Sequence, residues 1–462
     1  MTARENDAKK QYNRMTKEPV SRLIRQLSVP TVISMLVTTL YNMGDTYFVS
    51  GLGTSASGAT GVIFGLMAIF QAIGFMFGHG AGTNISRHLG ERNLHGAKKY
   101  SAHSFFLCAF VSAFLSAAGI LLLDPVCRLF GSTETILPYA RIYALYILIA
   151  GPALSLSCVM NNILRYEGRA FFAMVGLASG GILNLFGDAL LIRGFHMGIA
   201  GAGISTAVTQ YLSCVLLLLP FLLGKTQSTF EWKNCTFERH YIRQIIMNGF
   251  PSLTRQSLNA VSTMVLNQMA GRYGDAAVAA ISIVNRVMFF LNCTTIGIGQ
   301  GFQPVAAFNY GAGIYSRVRE AYRFVLRRSE QIMTVLAALS FLAAVQIVSL
   351  FIGDPEVIDI GSRMMRVQCV SMLFMPLAVF GDMLFQSIGM PGKATLLAGM
   401  RRGGLVIPYA LLLTAFFGLT GIEWAQGLAD ITTALVAMPM CRSFFRRLPA
   451  DALRNGGGPQ NS

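Results

Sequence analysis

Twelve apolar runs of about 20 residues or more succeed one another along this chain, each the length a helix needs to cross a bilayer. They lie near 26–49, 59–84, 101–123, 139–162, 171–192, 197–223, 245–271, 276–307, 332–352, 364–389, 395–417 and 421–441. Hydrocarbon offers no partners to an unpaired backbone, so the runs are expected to be helices. The predicted fold is an all-α integral membrane protein with twelve transmembrane helices. Only 13% of the residues are charged, about half the usual ~25% of a soluble domain. That scarcity, with 53% hydrophobic residues, excludes a disordered or collagenous chain. None of the eight cysteines forms a CxxC pair, and most fall within apolar runs. They are read as small buried hydrophobes, not disulfides or zinc ligands.

The net charge of +16 is a balance often found in nucleic-acid-binding proteins. Its distribution rules that partner out. Of the 37 basic residues, 29 are assigned to the N-terminal tail, the even-numbered connections and the C-terminal tail. Six fall on the other side (Arg128, Arg141, Arg193, Arg272, Arg363 and Arg366), and Arg255 and Arg286 fall inside spans. Under the positive-inside rule, both termini are predicted to be cytoplasmic. The polar first 25 residues have no signal-peptide pattern. The expected organisation is a cytoplasmic tail (1–25), a six-helix lobe (26–223), a cytoplasmic linker (224–244), a second six-helix lobe (245–441) and a cytoplasmic tail (442–462) whose last residues read as disordered.

An internal repeat supports two lobes. At an offset of 221 residues, Pro30 pairs with Pro251, Gly53 with Gly274, Gly78 with Gly299, Gly80 with Gly301, Gly90 with Gly311 and Gly168 with Gly389. Chance would supply about two glycine matches, and each of these falls at the same place in its half's order of spans. Six spans followed by six of the same orientation is the parallel-repeat plan of some secondary transporters.

A carboxylate at mid-membrane costs ~2.5–3.5 kcal/mol or more, so each one needs a reason. Asp45 lies in span 1 and Asp188 in span 5, with Asn184 one helical turn before Asp188 on the same face. Span 6 carries Ser205 and Thr206 within GIAGAGIST. At 1.5 Å per residue, Asp45 lies roughly 28 Å along an outward-running span and Thr206 roughly 13 Å below the outer surface. Asp188 lies four residues from the outer end of its span, so Asp45, Asn184, Asp188 and Thr206 share an outer-half depth. Two nearby carboxylates in low dielectric either share a proton or bind a cation. In the second half Leu266 stands at the position of Asp45, and Ile407 and Leu411 lie near those of Asn184 and Asp188, so this cluster belongs to one lobe.

The chain resembles the multidrug and toxic compound extrusion (MATE) family over essentially all twelve spans. The resemblance rests on LSVPTVISMLVTTLYNMGDTYFVSGLG, GHGAGTNISRHLGERN, NLFGDALLI and GIAGAGIST, with NGFPSLTRQS and GIGQGFQPVAAFNYGAG echoing in the second half. It implies an antiporter in a bacterial cytoplasmic membrane that expels organic cations or amphipathic drugs in exchange for H+ or Na+. Asp45, Asn184, Asp188 and Thr206 would then form the coupling site, and would ligate the metal if the ion is Na+. Pro30 would bend span 1, while Tyr41 and Asn161 would line the cavity. Some relatives place sodium in the second lobe, on acidic residues of spans 7 and 10. Asp382 matches the second of these, whereas span 7 offers Arg255, Gln256 and Asn259 and no carboxylate. Arg255 and Arg286 are the candidate counter-charges of Asp382.

No cofactor is expected, and the working form is taken as a monomer in the lipid bilayer whose partners are small-molecule substrates. Protonation or Na+ binding at Asp45 and Asp188 would repack span 1 around Pro30 and Gly44 in an alternating-access cycle. One alternative is a flippase for a lipid-linked precursor, which would need a cavity rich in Arg and Lys. The other is a membrane enzyme using Asp45 and Asp188 as a dyad, which no nucleophile or metal motif supports. GHGAG and GIGQG lack the strand and GKS/T of a phosphate loop and are read as helix-packing segments. His79 is read as structural. The run Arg317, Arg319, Arg323, Arg327, Arg328 is read as a helix lying against anionic headgroups.

Overall fold

A computed structural model describes residues 3–236 and 238–451. The glycine-rich tail beyond them, including its expected disorder, lies outside the described residues. The first half holds α1 (Ala3–Lys17), α2 (Val20–Ser50), α3 (Thr54–Gly90), α4 (Leu94–Leu121), α5 (Leu123–Leu129), α6 (Leu137–Tyr166), α7 (Ala170–Asp188) and α8 (Gly198–Leu222). The second holds α9 (Arg239–Ala270), α10 (Asp275–Gly311), α11 (Tyr315–Leu342), α12 (Ala344–Ser349), α13 (Pro355–Met372), α14 (Met375–Ser387), α15 (Pro391–Gly399), α16 (Val406–Phe417) and α17 (Leu419–Arg447). Nine helical segments among the described residues are long and apolar enough to cross a membrane, and the bent pair α13 and α14 makes a tenth. The protein is an all-helical, multi-pass membrane protein.

Three expectations are corrected by the helix boundaries. The ninth run, 332–352, is not one helix of its own: α11 runs from Tyr315 through the basic stretch to Leu342, and the residues after it form the separate short α12. The tenth is not one straight span but α13 and α14, bent by 53°, where Pro376 withholds an N–H from the helix ladder. Arg401 and Arg402 lie inside the eleventh span, 395–417, and do not belong among the 29 basic residues assigned to the tails and even-numbered connections. They occupy a wide π-helical turn, Met400–Gly404, inside the segment Pro391–Phe417, and Arg401 is buried.

The chain forms two compact units. One contains residues 1–15 and 29–253, the other 16–28 and 254–462. One boundary falls inside α1, and the other two fall inside α2 and α9, next to Pro30 and Pro251. Both helices run unbroken through those prolines, although an interior proline typically costs a helix ~3 kcal/mol.

The repeat is visible in backbone conformation. Gly53 and Gly274 precede α3 and α10 with φ of 110° and 101°, and Gly168 and Gly389 turn the chain with φ of 78° and 77°. These left-handed values favour glycine because it has no Cβ. A Cβ on Gly80 would collide with the carbonyl of Ile245 and the backbone of Gly249, whereas on Gly301 it would lie 2.7 Å from Ser28 Cα. Ser28 and Gly249 are themselves 221 residues apart. Each unit thus contains the same close helix crossing.

The core of the first unit gathers Ile63, Phe70, Tyr143, Ile147 and Leu148. That of the second is rich in methionine, with Met288, Met333, Met364, Met365 and Met372 buried together. There, methionine fills irregular gaps in packing. None of the eight cysteines is in a disulfide, and six are buried.

Candidate functional site

The first unit brings together the acidic and polar residues of α2, α7 and α8. Tyr41, Gly44 and Asp45 recur at the i, i+3, i+4 spacing that places side chains on one helical face. That face meets α7, where a Cβ on Gly44 would strike Leu185 and one on Gly181 would lie 2.8 Å from the Tyr41 ring. The two glycines therefore let α2 approach α7 closely.

Asn184 and Asp188 are buried, as are Ser205, Thr206 and Thr209 on α8. The Asn184 amide Nδ2 donates towards Ser205 Oγ at 3.2 Å, Thr209 Oγ1 at 3.4 Å and Thr206 Oγ1 at 3.5 Å. Ser205 Oγ returns a bond to the Asn184 carbonyl at 3.2 Å. Thr209 Oγ1 donates within α8 to the Ser205 carbonyl at 2.7 Å. Asn184 thus fixes the register between α7 and α8, one turn before Asp188.

The Asp45 and Asp188 carboxyl groups are neighbours within hydrogen-bonding reach. Ionised carboxylates only accept hydrogen bonds. Their approach therefore leaves Asp45 Oδ1 and both Asp188 oxygens buried with no donor. A proton shared by the pair, or a cation between them, relieves that repulsion and supplies the missing partner. The surrounding groups are hard oxygens, the ligand type that suits Na+ as well as H+. Among the described residues, no group of three or more His, Cys, Asp or Glu side chains forms a metal cluster. Asp188 is also the last residue of regular α7, where the chain widens into the π-helical turn Ala189–Gly194. Such turns are frequent at functional sites.

Tyr143 on α6 is a member that sequence reasoning missed. It is buried and faces Asp45, Asp188 and Tyr41. A lone tyrosine in an apolar helix carries no motif, so no signal marked it. Asn161, by contrast, is not part of this cluster. Its amide donates to the Ala173 carbonyl at 3.0 Å, 15 residues and roughly 22 Å along α7 from Asp188. His79 Nδ1 donates to the Phe75 carbonyl of its own helix at 3.1 Å, and its Nε2 lies 3.5 Å from Arg165 Nη2 on α6, contacts that tie α3 to α6.

The second unit answers which arginine balances Asp382. Arg255 Nη1 lies 2.8 Å from Asp382 Oδ2. Arg286 is exposed and makes no ion pair among the described residues. A second intramembrane pair joins Arg401 Nε to Asp430 Oδ1 at 2.8 Å. Arg402 Nη1 donates to Asn259 Oδ1 at 3.0 Å. A guanidinium therefore stands where a second-unit cation site would need a free carboxylate.

The MatE family model matches twice, at residues 30–190 and 251–412. The matches begin at Pro30 and Pro251, the two prolines of the repeat, and together span most of the chain.

The chain belongs to the MatE family.

Among its relatives is the multidrug export protein MepA of Staphylococcus saprophyticus, 25% identical over 94% of this chain and 96% of that protein. MepA of Staphylococcus aureus strain MSSA476 is also 25% identical, with the same coverage. An outward-facing structure of a multidrug resistance MATE transporter of the MOP superfamily is 23% identical. It superposes with a TM-score of 0.89 over 94% of this chain and 98% of its own. As a MatE protein with this fold, the chain is a membrane transporter whose family supports a multidrug efflux role.

Proposed function

We propose that this MatE protein is a secondary multidrug exporter that expels organic cations or amphipathic drugs in exchange for inward-moving H+ or Na+. The observation that carries the proposal is the Asp45–Asp188 pair, in which Asp45 Oδ1 and both Asp188 oxygens are buried with no hydrogen-bond partner among the described residues. Loading the pair removes its charge repulsion. Unloading it restores a repulsive site, so the two states of α2 against α7 differ in free energy by linkage. Gly44 and Pro30 lie on α2, where such repacking is cheapest to accommodate. The names of the MepA relatives support drugs as cargo. The bias of basic residues towards one set of loops supports cytoplasmic termini, and a monomer contains the whole coupling site.

A lipid-linked precursor flippase is the competing function. It would hold pyrophosphate on free cationic side chains. Here Arg255 and Arg401 are each engaged with a carboxylate, Asp382 and Asp430, and Arg286 alone is too little charge to hold a pyrophosphate, which favours drug export.

The test is transport of a fluorescent quaternary ammonium dye in proteoliposomes, with pH and sodium gradients imposed separately. One gradient is expected to drive dye against its concentration. Dye movement indifferent to both would overturn ion coupling.

A further inference from the structure

The arginine-rich start of α11 is not uniformly a face for headgroups. Arg317 turns inward, with Nε donating to Asn309 Oδ1 at 3.1 Å and Nη2 to the Glu18 carbonyl at 2.6 Å. Arg319 and Arg323 instead face α17. On α11 the residues 319, 322, 323, 326 and 330 share one face by helical spacing, and on α17 the same holds for 438, 441, 442 and 445. Between these faces lies a cavity of about 540 Å³, with Leu377 of α14 also in its wall.

The cavity has two chemically distinct parts. Arg319, Arg323, Arg442 and Arg446 supply four cationic groups. None of them forms an ion pair with a carboxylate among the described residues. Arg319 Nη2 is steadied by the Phe445 carbonyl at 2.6 Å. Leu326, Leu377 and Met438 line the remainder, with Glu330 the sole acidic group in the wall. Beyond the cavity on each helix, exposed apolar side chains begin, Val335 (59%) on α11 and Leu435 (59%) on α17. Surfaces of that kind face lipid tails. The arginines therefore stand at the level where phosphate headgroups lie, and the apolar wall continues towards the acyl region.

We propose that this cavity is a binding site for one anionic phospholipid, with its phosphate held by Arg319, Arg323, Arg442 and Arg446 and its acyl chain laid along Leu326, Leu377 and Met438. Basic pockets between helices bind anionic headgroups through the same electrostatics. Guanidinium groups match phosphate oxygens in bidentate geometry. A zwitterionic lipid brings its own ammonium group into this field and gains less.

The experiment is native mass spectrometry of the full chain in detergent, titrated separately with phosphatidylglycerol, phosphatidylcholine and inorganic phosphate. The wild type is expected to retain one phosphatidylglycerol preferentially over phosphatidylcholine. Arg319→Gln/Arg323→Gln/Arg442→Gln should weaken that binding at least ~tenfold, given about 1 kcal/mol per basic residue near an anionic surface. The equal-charge control Lys233→Gln/Arg239→Gln/Arg243→Gln should leave it unchanged. Arg319→Lys/Arg323→Lys/Arg442→Lys keeps the charge and should retain most of the binding, which separates ligand loss from misfolding. Equal weakening in the control would overturn the site in favour of diffuse attraction. Displacement of the lipid by inorganic phosphate at matched concentration would overturn a lipid as its occupant.

Discussion

Arg255 of α9 and Asp382 of α14 meet at 2.8 Å, Nη1 to Oδ2, with side-chain exposures of 19% and 8%. The pair places a guanidinium on the one carboxylate of the second unit that resembles a family sodium ligand. The acidic chemistry of this transporter is thereby concentrated in the first unit.

Asp382→Asn should therefore act mainly on stability. Breaking one side of a buried ion pair typically costs ~3–5 kcal/mol, while replacing both sides with apolar groups is often nearly neutral. The single variant is expected to melt well below the wild type in detergent. Arg255→Met/Asp382→Leu should recover most of the loss. Scanning fluorimetry of the three proteins reads this directly, and a double variant no better than the single one would contradict the pairing.

The two close crossings lead to a paired prediction. Gly80→Ala and Gly249→Ala both drive a Cβ into backbone across the same contact, so each should destabilise by about 1–3 kcal/mol, the usual range for overpacking. Gly61→Ala is the control, since a Cβ there meets nothing within 4 Å. If all three variants melted alike, the crossing would not be a point of tight packing.

Glu167, in the turn after α6, is fully buried and accepts the backbone N–H groups of Gln227 at 3.1 Å and Ser228 at 2.7 Å. Burial raises its pKa above the ordinary 4.5, outweighing the hydrogen bonds from Ser228 and Gln227 and the attraction of Arg169. A carboxyl with a raised folded-state pKa binds its proton more tightly folded than unfolded. Its contribution to stability is full below pH 4.5 and declines as pH rises through the folded value. The melting temperature of the wild type relative to Glu167→Gln should therefore fall as pH rises from about 4 towards neutrality. A gap that widened in favour of the wild type would reverse the sign and contradict the assignment.

Hydropathy located most helices to within several residues, because lipid contact demands continuous apolar surface. It failed where a helix carries its charge at one end. The stretch Tyr315–Gln331 is basic and amphipathic, so it reads as a helix of its own at the headgroups and not as the first turns of α11. Hydropathy placed Arg401 and Arg402 inside a span without saying what balances them, since only the tertiary contacts with Asp430 and Asn259 make those charges tolerable there. The coupling cluster was more legible. Asn184 and Asp188 share a face by spacing alone, and scarcity of charge marks Asp45. Tyr143 needed the fold, since its role depends on which helix α6 packs against.

Neutralising one carboxylate tests the centre of this account. The measurement is gradient-driven export of the quaternary ammonium dye by proteoliposomes containing Asp188→Asn at wild-type protein density. An amide cannot carry the charge that the shared proton or cation balances. Export against the dye gradient is expected to fall to the level of protein-free liposomes, while dye binding persists. Wild-type export by the variant under the same gradient would contradict the assignment of Asp45 and Asp188 as the coupling site.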